Sequence, residues 1–295
     1  MVAGRRLAPK EQSRQANSPT IPVALSILVS MLAPLSAIAE DTIRFGEETF
    51  ELKAGGFLQN FDTKIKVEDN SGGGANVPLE DVLGYDDNDV TVVFGGSWRF
   101  AERHRIEFSV FNSDRDVQAV ATEDIDIGDG EIIPTGAGYK STLKLQVIPL
   151  QYSYSFIKSD KNEFYGSVGM HWYSIDYDVV GALGLGQETW KGKVRAEADT
   201  PMPLVGVGYD YYISDRWKVS VGAEAFYVKM SDAEFNFEGA FYSATVATEY
   251  YLFKHVGIGA AFSYFKVDVD IDDSNWNGGL DYYYWGPAAY VKIRF

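Results

Sequence analysis

The stretch VGIGAAFSYF, residues 256–265, contains ten uncharged residues in which larger apolar side chains mostly alternate with small ones. Val256, Ile258 and Phe262 share one parity, and Gly259 belongs to the other. A period of two is typical of a β-strand with one apolar face. Because a tilted strand needs about 9–11 residues to cross a membrane, this stretch has the length of a transmembrane strand. A soluble β-sandwich with its apolar face inward would show the same alternation, so a second criterion is needed.

Comparable stretches occur along most of the chain and predict ten strands. Residues 90–98 and 282–291 form uncharged windows of nine and ten residues. No stretch after residue 39 approaches the ~18 consecutive apolar residues of a membrane helix. The predicted strands are residues 50–66, 89–100, 104–116, 140–156, 163–179, 202–213, 217–229, 237–252, 255–267 and 280–295.

The lengths of the connections decide between barrel and sandwich. Short turns follow every second strand, at residues 101–103, 157–162, 214–216 and 253–254, and longer acidic or glycine-rich segments follow the others. An up-and-down antiparallel transmembrane β-barrel has this arrangement, with short periplasmic turns and longer external loops. A Greek-key sandwich gives no reason for it. The parity of the apolar residues changes at Pro149 and at Gly55-Gly56, where we expect β-bulges, so eight or twelve strands remain alternatives to ten.

The first 39 residues have the pattern of an export signal. A basic start with Arg5, Arg6 and Lys10 precedes a mostly apolar core at residues 21–35, and a small-x-small end at Ala39 follows. This pattern predicts a secretory signal peptide, residues 1–39, that is cleaved before the barrel of residues 40–295. A membrane anchor is the alternative, and the short apolar core argues against it.

Composition excludes several classes of function. The 295 residues include no cysteine, which excludes disulfides, thiolate metal sites and cysteine nucleophiles. There are 26 basic and 42 acidic residues, and 22 and 41 of them follow residue 39, a net charge of −19 in that part. Since phosphate binding needs a basic surface, no nucleic-acid partner is expected.

The C-terminal residues 289–295 read AYVKIRF, with apolar residues at alternate positions and a terminal aromatic residue. An exported chain of alternating strands with this end resembles the small bacterial outer-membrane β-barrel proteins. In that family the terminal aromatic residue is the signal for the barrel-assembly machinery, and the resemblance implies this role for Phe295. The resemblance covers the architecture of the chain after residue 39 and indicates no particular activity.

If the apolar face meets lipid, the opposite face of each strand lines the lumen. Unpaired charges are costly in a confined interior, and eight to ten strands leave little room for water once side chains fill the barrel. We therefore expect a network of paired charges that plugs the lumen, with a narrow polar pore as the alternative. The predicted lumen residues are Arg99, Arg105, Glu107, Lys144, Gln146, His171, Asp210, Lys218, Glu224, Glu249, Lys292 and Arg294.

Catalysis would have to use His171, the histidine predicted inside the barrel, because His104 and His255 lie near the periplasmic turns. Barrel enzymes that modify lipids use a histidine with a serine or an acid, and the candidate partners here are Ser167, Ser174 and Glu224. Omptin-like barrel proteases also have ten strands but need an Asp-His pair and a second Asp pair near the outer rim. Since no histidine lies in a predicted external loop, that family is disfavoured.

Two acidic segments are weak candidates for divalent cations. The acid spacing at residues 124–131 resembles a calcium loop, but glycine occupies the fifth position and Thr135 the twelfth. We expect weak, exchangeable bridging and no selective site. The candidate residues are Asp124, Asp126, Asp129, Asp268, Asp270 and Asp272.

The sequence thus predicts an integral outer-membrane protein of a Gram-negative bacterium. The expected role is non-enzymatic, structural or in surface interactions through acidic external loops, with outer-membrane lipid and lipopolysaccharide as partners. A narrow, porin-like passive channel and a lipid-directed enzyme are the alternatives. No cofactor is predicted.

Overall fold

The computed structural model describes residues 45–68, 74–128, 131–185, 188–231, 235–273 and 276–295, which are nearly all in β-strands. None of the helices in these ranges is long and apolar enough to cross a membrane. The elements are β1 (Phe50–Glu68), β2 (Gly74–Pro78), α1 (Leu79–Leu83), β3 (Asn88–Ala101), β4 (His104–Val120), β5 (Ile125–Gly128), β6 (Glu131–Ile133), β7 (Gly138–Lys158), β8 (Asn162–Leu185), β9 (Glu188–Ser214), β10 (Trp217–Ser231), β11 (Phe235–Tyr251), β12 (Val256–Asp273) and β13 (Trp276–Arg294).

Ten long strands form one closed antiparallel barrel in the order β1-β3-β4-β7-β8-β9-β10-β11-β12-β13. β13 pairs with β1 and closes the barrel, from Glu51 opposite Arg294 to Glu68 opposite Asn277. The prediction of a ten-stranded transmembrane β-barrel is confirmed, and counts of eight and twelve are wrong. β2 adds to the far end of β1, and β5 and β6 form a separate hairpin.

The two ends of the barrel differ. The end that carries the short turns and both chain ends of the barrel is called the turn end, and the opposite end the loop end. Several strands continue beyond their predicted limits at the loop end, since β8 extends to Leu185 and β9 begins at Glu188. Much of the sequence expected in external loops is therefore strand. The predicted signal, residues 1–39, lies outside the described residues.

β7 keeps one alternation of inward and outward residues from Gly138 to Ser155, but the chemistry of its two faces inverts part of the way along. On β7 the outward residues from Ile148 to Phe156 are apolar, whereas Lys144 and Gln146, also outward, are polar. The inward residues invert in the opposite sense, from Ser153 to the buried Leu145. The apolar outer part has the length of a membrane crossing, and beyond it the outer face meets water while the inner face needs apolar packing.

This inversion, and no bulge, explains the change of parity in the sequence. Pro149 lies opposite His171 in an uninterrupted ladder, and β4 keeps one register with β7 on both sides of it. Gly55 and Gly56 also lie in continuous ladders. The bulges predicted at these two places are therefore wrong. The register shifts occur near the turn end instead, at Arg99/Ala101, Ser155/Ile157 and Trp217/Lys218.

The outward apolar residues form a continuous band around the barrel. On β12 they run from Ile258 to Tyr264, and Lys266 follows on the same face. Aromatic residues mark both edges, which is typical of transmembrane barrels. The exposed aromatic residues include Trp98, Phe100, Phe156 and Trp217 towards the turn end, and Trp172, Tyr227, Tyr242, Tyr264 and Trp285 towards the loop end.

Candidate functional site: the barrel interior

The interior at the turn end is filled by paired charges. Arg99 and Glu163 form a two-point ion pair, in which both guanidinium nitrogens donate over 3.0 Å. The hydroxyl of Tyr212 donates to the same carboxylate at 2.8 Å, and the hydroxyl of Ser155 also donates to it. Because Glu163 thereby accepts four hydrogen bonds, its buried charge is fully compensated.

A second group joins two lysines and two glutamates. Lys292 lies 2.8 Å from Glu51 and 3.0 Å from Glu249, and Lys218 lies 3.0 Å from Glu249. The hydroxyl of Tyr290 donates to Glu249 at 2.8 Å. Two ammonium groups and two carboxylates thus neutralise each other in one connected cluster, which rigidifies the interior.

Two arginines pack on aromatic rings. The guanidinium carbon of Arg105 lies 4.6 Å from the centre of the Tyr165 ring, and its nitrogens lie 3.3 Å from Glu107 and 3.9 Å from Asp210. Arg294 is fully buried, with its guanidinium carbon 3.7 Å from the centre of the Tyr251 ring. Such cation–π contacts stabilise a charge in a place where water is excluded.

The segment before β1 closes the turn end. Phe45 is buried and stacks on Tyr212, with ring centres 5.4 Å apart. It also contacts the Tyr251 ring edge-on at 5.3 Å, and Arg294 lies 4.9 Å from its ring centre. This buried aromatic side chain acts as a plug on the turn-end side of the paired charges. We call these paired charges, Arg99, Glu163, Glu51, Lys218, Glu249 and Lys292, the charge network.

The loop end is filled by a second, apolar plug. Phe265 stacks on Tyr284 at 4.5 Å and contacts Phe241 edge-on at 4.9 Å. These rings belong to one buried cluster inside the barrel, composed of Phe57, Phe61, Leu145, Val147, Tyr173, Phe241, Phe265, Val267, Tyr282 and Tyr284.

A cap covers the second plug. Leu79 and Leu83 of α1 are fully buried against residues of β7 and β8. Arg115 of β4 holds this cap, because it pairs with Glu80 at 2.8 Å and donates to the carbonyl oxygen of Asp86 at 2.8 Å. The guanidinium carbon of Arg115 also lies 4.3 Å from the centre of the Phe61 ring.

Between the charge network and the aromatic plug lies open space. Two adjoining cavities of about 400 and 300 Å³ share several polar lining residues. We call this space the chamber. Lys53, Gln151, His171, Glu224 and Thr245 border both of its parts.

Most predicted lumen residues are inside the barrel. Arg99, Arg105, His171, Asp210, Lys218, Glu249, Lys292 and Arg294 are buried, and Glu107 and Glu224 are partly buried beside the chamber. The assignment of Lys144 and Gln146 to the lumen is wrong. Both are exposed on the outer face, where Gln146 donates to Asn112 at 2.9 Å. They lie beyond the apolar band, where the polar face of the strand points to water.

Other interior charges were missed by the sequence analysis, namely Glu48, Glu51, Lys53, Glu80, Arg115 and Glu163. A usable signal existed for two of them. Glu163 has the parity of His171 on β8, and Arg115 has the parity of Arg105 on β4. The expected bulge at Gly55-Gly56 obscured the phase of β1, which carries Glu51 and Lys53.

The three histidines of the chain differ in their surroundings. His171 is buried, with Nδ1 3.3 Å from the hydroxyl of Tyr173 and Nε2 4.0 Å from Glu224. Within the described ranges of the chain, its Nε2 has no hydrogen-bond partner. His104 contacts the hydroxyl of Tyr152 at 2.7 Å, and His255 contacts the carbonyl oxygen of Arg294 at 2.8 Å. The serines proposed as partners of His171 differ in position: Ser167 is buried, and Ser174 lies on the outer face.

The acidic candidates do not form a metal site within the described residues. No group of three or more histidine, aspartate or glutamate side chains there could hold a metal ion. Asp124 accepts hydrogen bonds from the backbone N–H and the hydroxyl of Thr135, at 2.7 and 2.8 Å. These bonds lower the pKa of Asp124, the backbone bond most. The side chains of Asp126, Asp129 and Asp272 lie outside the described residues, whereas Asp268 lies 3.8 Å from Lys266 and Asp270 is exposed.

No protein-family model and no curated protein sequence matches this chain. The crystal structure of the outer-membrane protease OmpT from Escherichia coli matches with a TM-score of 0.54 and 12% identity, over 87% of this chain and 99% of that chain. The P. putida toluene transporter TodX matches with a TM-score of 0.36 and 11% identity, over 86% and 93% of the two chains. OprG from Pseudomonas aeruginosa matches with a TM-score of 0.35 and 10% identity, over 84% and 97%.

At these identities the OmpT match supports the fold alone. Together with the closed ten-stranded sheet and the apolar band, it establishes that the fold is that of small outer-membrane β-barrel proteins, as the connection lengths and the C-terminal pattern predict. No particular member of that group is identified.

Proposed function

We propose that the chain is an integral protein of the Gram-negative outer membrane, exported by a cleaved signal peptide, with a closed lumen and a non-enzymatic role at the cell surface. The apolar band and its aromatic edges support the membrane location. The turn end, which carries both chain ends of the barrel, then faces the periplasm. The loop end faces the outside.

The filled lumen carries this proposal. The described part of the interior has three obstructions in series: Phe45 with its aromatic partners, the charge network, and the aromatic plug under its cap. The charges in the network are paired with one another at 2.8–3.0 Å, so removing one partner would leave a buried charge uncompensated. A passive channel is therefore the less favoured alternative.

The surroundings of the histidines argue against an enzyme. A protease or lipid-directed enzyme needs its base where substrate arrives, at the outer rim or the lipid surface. His171 lies inside the barrel between the two plugs, and His104 and His255 lie near the turn end. The fold shared with a protease does not by itself imply that activity.

The outer faces of the extended strands support a surface role. Asp114, Asp116, Asp176 and Asp270 are exposed on these faces, beyond the apolar band. Acidic groups at this height can bridge through divalent cations to the phosphate groups of lipopolysaccharide, which we propose as the surrounding lipid. The same faces prevent strand-to-strand aggregation.

Conductance in a planar lipid bilayer tests the closed lumen. The folded wild-type protein should give no steady current, since all three obstructions are intact. A variant with Phe45→Ala, Arg294→Ser, Phe265→Ser and Tyr284→Ser weakens two of the three obstructions and should show brief current steps if it folds, which a heat-dependent shift in SDS gel mobility reports. A steady wild-type current that scales with salt concentration would favour the channel alternative and contradict the proposal.

A further inference from the structure

The chamber is lined by one ammonium group that the rest of the interior leaves unpaired. Lys53 points inward from β1, and its side chain is accessible although both neighbours in sequence are at least half-buried. In the part of the chain that the structure describes, no carboxylate oxygen lies within 4.0 Å of its Nζ. Its Nζ lies 6.0 Å from the centre of the Tyr290 ring, and Glu107, Glu249 and Glu51 attract it from beyond ion-pair distance. Glu107, another chamber residue, is already paired with Arg105 and accepts from Ser153.

A carboxylate in the same chamber, Glu224, also has no lysine or arginine nitrogen within 4.0 Å among the described residues, although Lys53 attracts it from a greater distance. Glu224 accepts hydrogen bonds from the amide of Gln151 and from the hydroxyl of Ser243, which lies 2.9 Å away. Both donors are neutral. The basic group nearest to Glu224 is His171, whose buried Nε2 lies 4.0 Å away and has no hydrogen-bond partner among the described residues.

The chamber contrasts with the charge network, because neither Lys53 nor Glu224 forms an ion pair with a fully charged partner among the described residues. Burial of an unpaired charge is costly, so an occupant that compensates both groups is favoured. The chamber is large enough for such an occupant, since small-molecule sites have volumes of about 300–1,000 Å³. Its side towards the loop end is apolar, formed by Phe57, Val147, Phe265 and Tyr284.

We propose that the chamber binds a small zwitterion that carries a carboxylate, an ammonium group and a compact apolar part, as an amino acid does. The carboxylate pairs with Lys53, the ammonium group pairs with Glu224, and the apolar part packs against the aromatic plug. The unpartnered Nε2 of His171 adds a hydrogen bond to the polar end. This proposal and the proposal of a closed lumen can fail separately, because leucine binding and ionic current are measured in different experiments.

L-leucine and two of its analogues test this charge pattern. The full chain is refolded in detergent with radiolabelled L-leucine present, so that the ligand does not have to pass a plug, and bound leucine is measured by equilibrium dialysis. 4-Methylpentanoate lacks the ammonium group, and 3-methylbutylamine lacks the carboxylate. Leucine should bind saturably, and each analogue should compete at least about tenfold more weakly, because each leaves one charge of the chamber unpaired.

Three substitutions locate the site. Lys53→Met and Glu224→Gln should each weaken leucine binding about tenfold or more, whereas Lys64→Met on the outer face of β1 should not change it. Gly222→Leu places a large side chain on the lining of the chamber, where a Cβ meets nothing nearer than the carbonyl oxygen of Val207 at 3.8 Å, and should abolish binding. Gly222→Ala is the matched control and should retain it.

The proposal is overturned if folded wild-type protein binds no leucine up to about 10 mM, where even millimolar affinity would be visible. It is also overturned if either analogue competes as well as leucine does. Unchanged binding in both folded Lys53→Met and folded Glu224→Gln variants would have the same meaning. Each of these results would mean that the chamber holds water and no zwitterion.

Discussion

Arginine placed in the apolar band should destabilise the barrel far more than arginine placed beyond the band on the same face. β8 provides both sites, Val168 and Ser174, which point outward six residues apart. Val168 is 55% exposed and lies midway between Phe164 and Trp172 on the outer face. Ser174 lies past Trp172, opposite the exposed Gln146 of β7.

The expected loss in the free energy of unfolding follows from the depth of each site in the bilayer. Four residues separate Val168 from each edge of the band, about 13 Å along the strand and about 10 Å in depth at a tilt of about 40°. This is close to the midplane, where arginine on the lipid face costs about 2–4 kcal/mol. Ser174→Arg lies at or beyond the interface, where the cost is about 0–1 kcal/mol. Neither change touches the interior, so the difference reports the bilayer alone.

Equilibrium urea unfolding from lipid vesicles, followed by tryptophan fluorescence, measures both variants against wild type. Val168→Arg should lower the free energy of unfolding by about 2–4 kcal/mol and Ser174→Arg by less than about 1 kcal/mol. Equal losses, or a larger loss for Ser174→Arg, would refute the position of the band.

Three other predictions concern assembly, the buried ion pair and the loop-end hairpin. Deletion of Phe295 should reduce the amount of membrane-inserted protein more than Phe295→Ala does, because only deletion removes the backbone hydrogen bonds of this residue to the start of β1. Immunoblots of membrane fractions measure the amount. A wild-type amount of the deletion variant would contradict the prediction. Glu163→Gln should cost about 3–5 kcal/mol in urea unfolding, since it leaves the charge of Arg99 buried without its partner, and a loss below about 1 kcal/mol would show that the pair is not important. The Asp124–Thr135 contact stabilises the hairpin above the unfolded-state pKa of Asp124 and is lost as pH falls through its lowered folded-state pKa; Thr135→Val should raise that pKa towards its ordinary value in an NMR titration, and an unchanged pKa would refute the assignment.

The sequence was sufficient to predict the barrel because the bilayer imposes one simple pattern on every strand. Nine to ten residues with apolar side chains on one face recur in each crossing, and the turn-end connections are short. Both features are local, so they can be recognised without knowledge of which strands are neighbours. The interior positions of Arg99, Lys218 and Lys292 follow from the same alternation.

For Lys144 this reasoning predicts the wrong face of the strand. The alternation places it in the lumen because its apolar neighbours Leu143 and Leu145 are expected to face lipid, as the apolar residues do within the membrane. Beyond the bilayer the outer face meets water, so polar residues such as Lys144 point outward and Leu143 and Leu145 pack inside. The length of the band decides where the change occurs, and the extension of the strands past the membrane was not predicted.

The two plugs could not be predicted for a different reason. Phe45 precedes the first strand and has no periodic context, so its stacking on Tyr212 depends on the closure of the barrel. The pairing of Arg115 with Glu80 likewise joins a strand to α1, a helix of five residues whose acidic first turn and C-cap Gly84 indicate a helix but not its partner. Contacts of this kind depend on tertiary structure, which alternation does not report.

The most direct test of the barrel uses the absence of cysteine from the chain. Single cysteines at positions 258, 260, 261, 262, 263 and 264 of β12 are labelled with a nitroxide in lipid vesicles, and access to oxygen and to a water-soluble nickel complex is measured by electron paramagnetic resonance. Positions 258, 260, 262 and 264 should be accessible to oxygen and protected from nickel, as lipid-facing residues are, and positions 261 and 263 should be shielded from lipid. High oxygen access at 261 and 263 with low access at the even positions would mean that the apolar face points inward, and would contradict a transmembrane barrel.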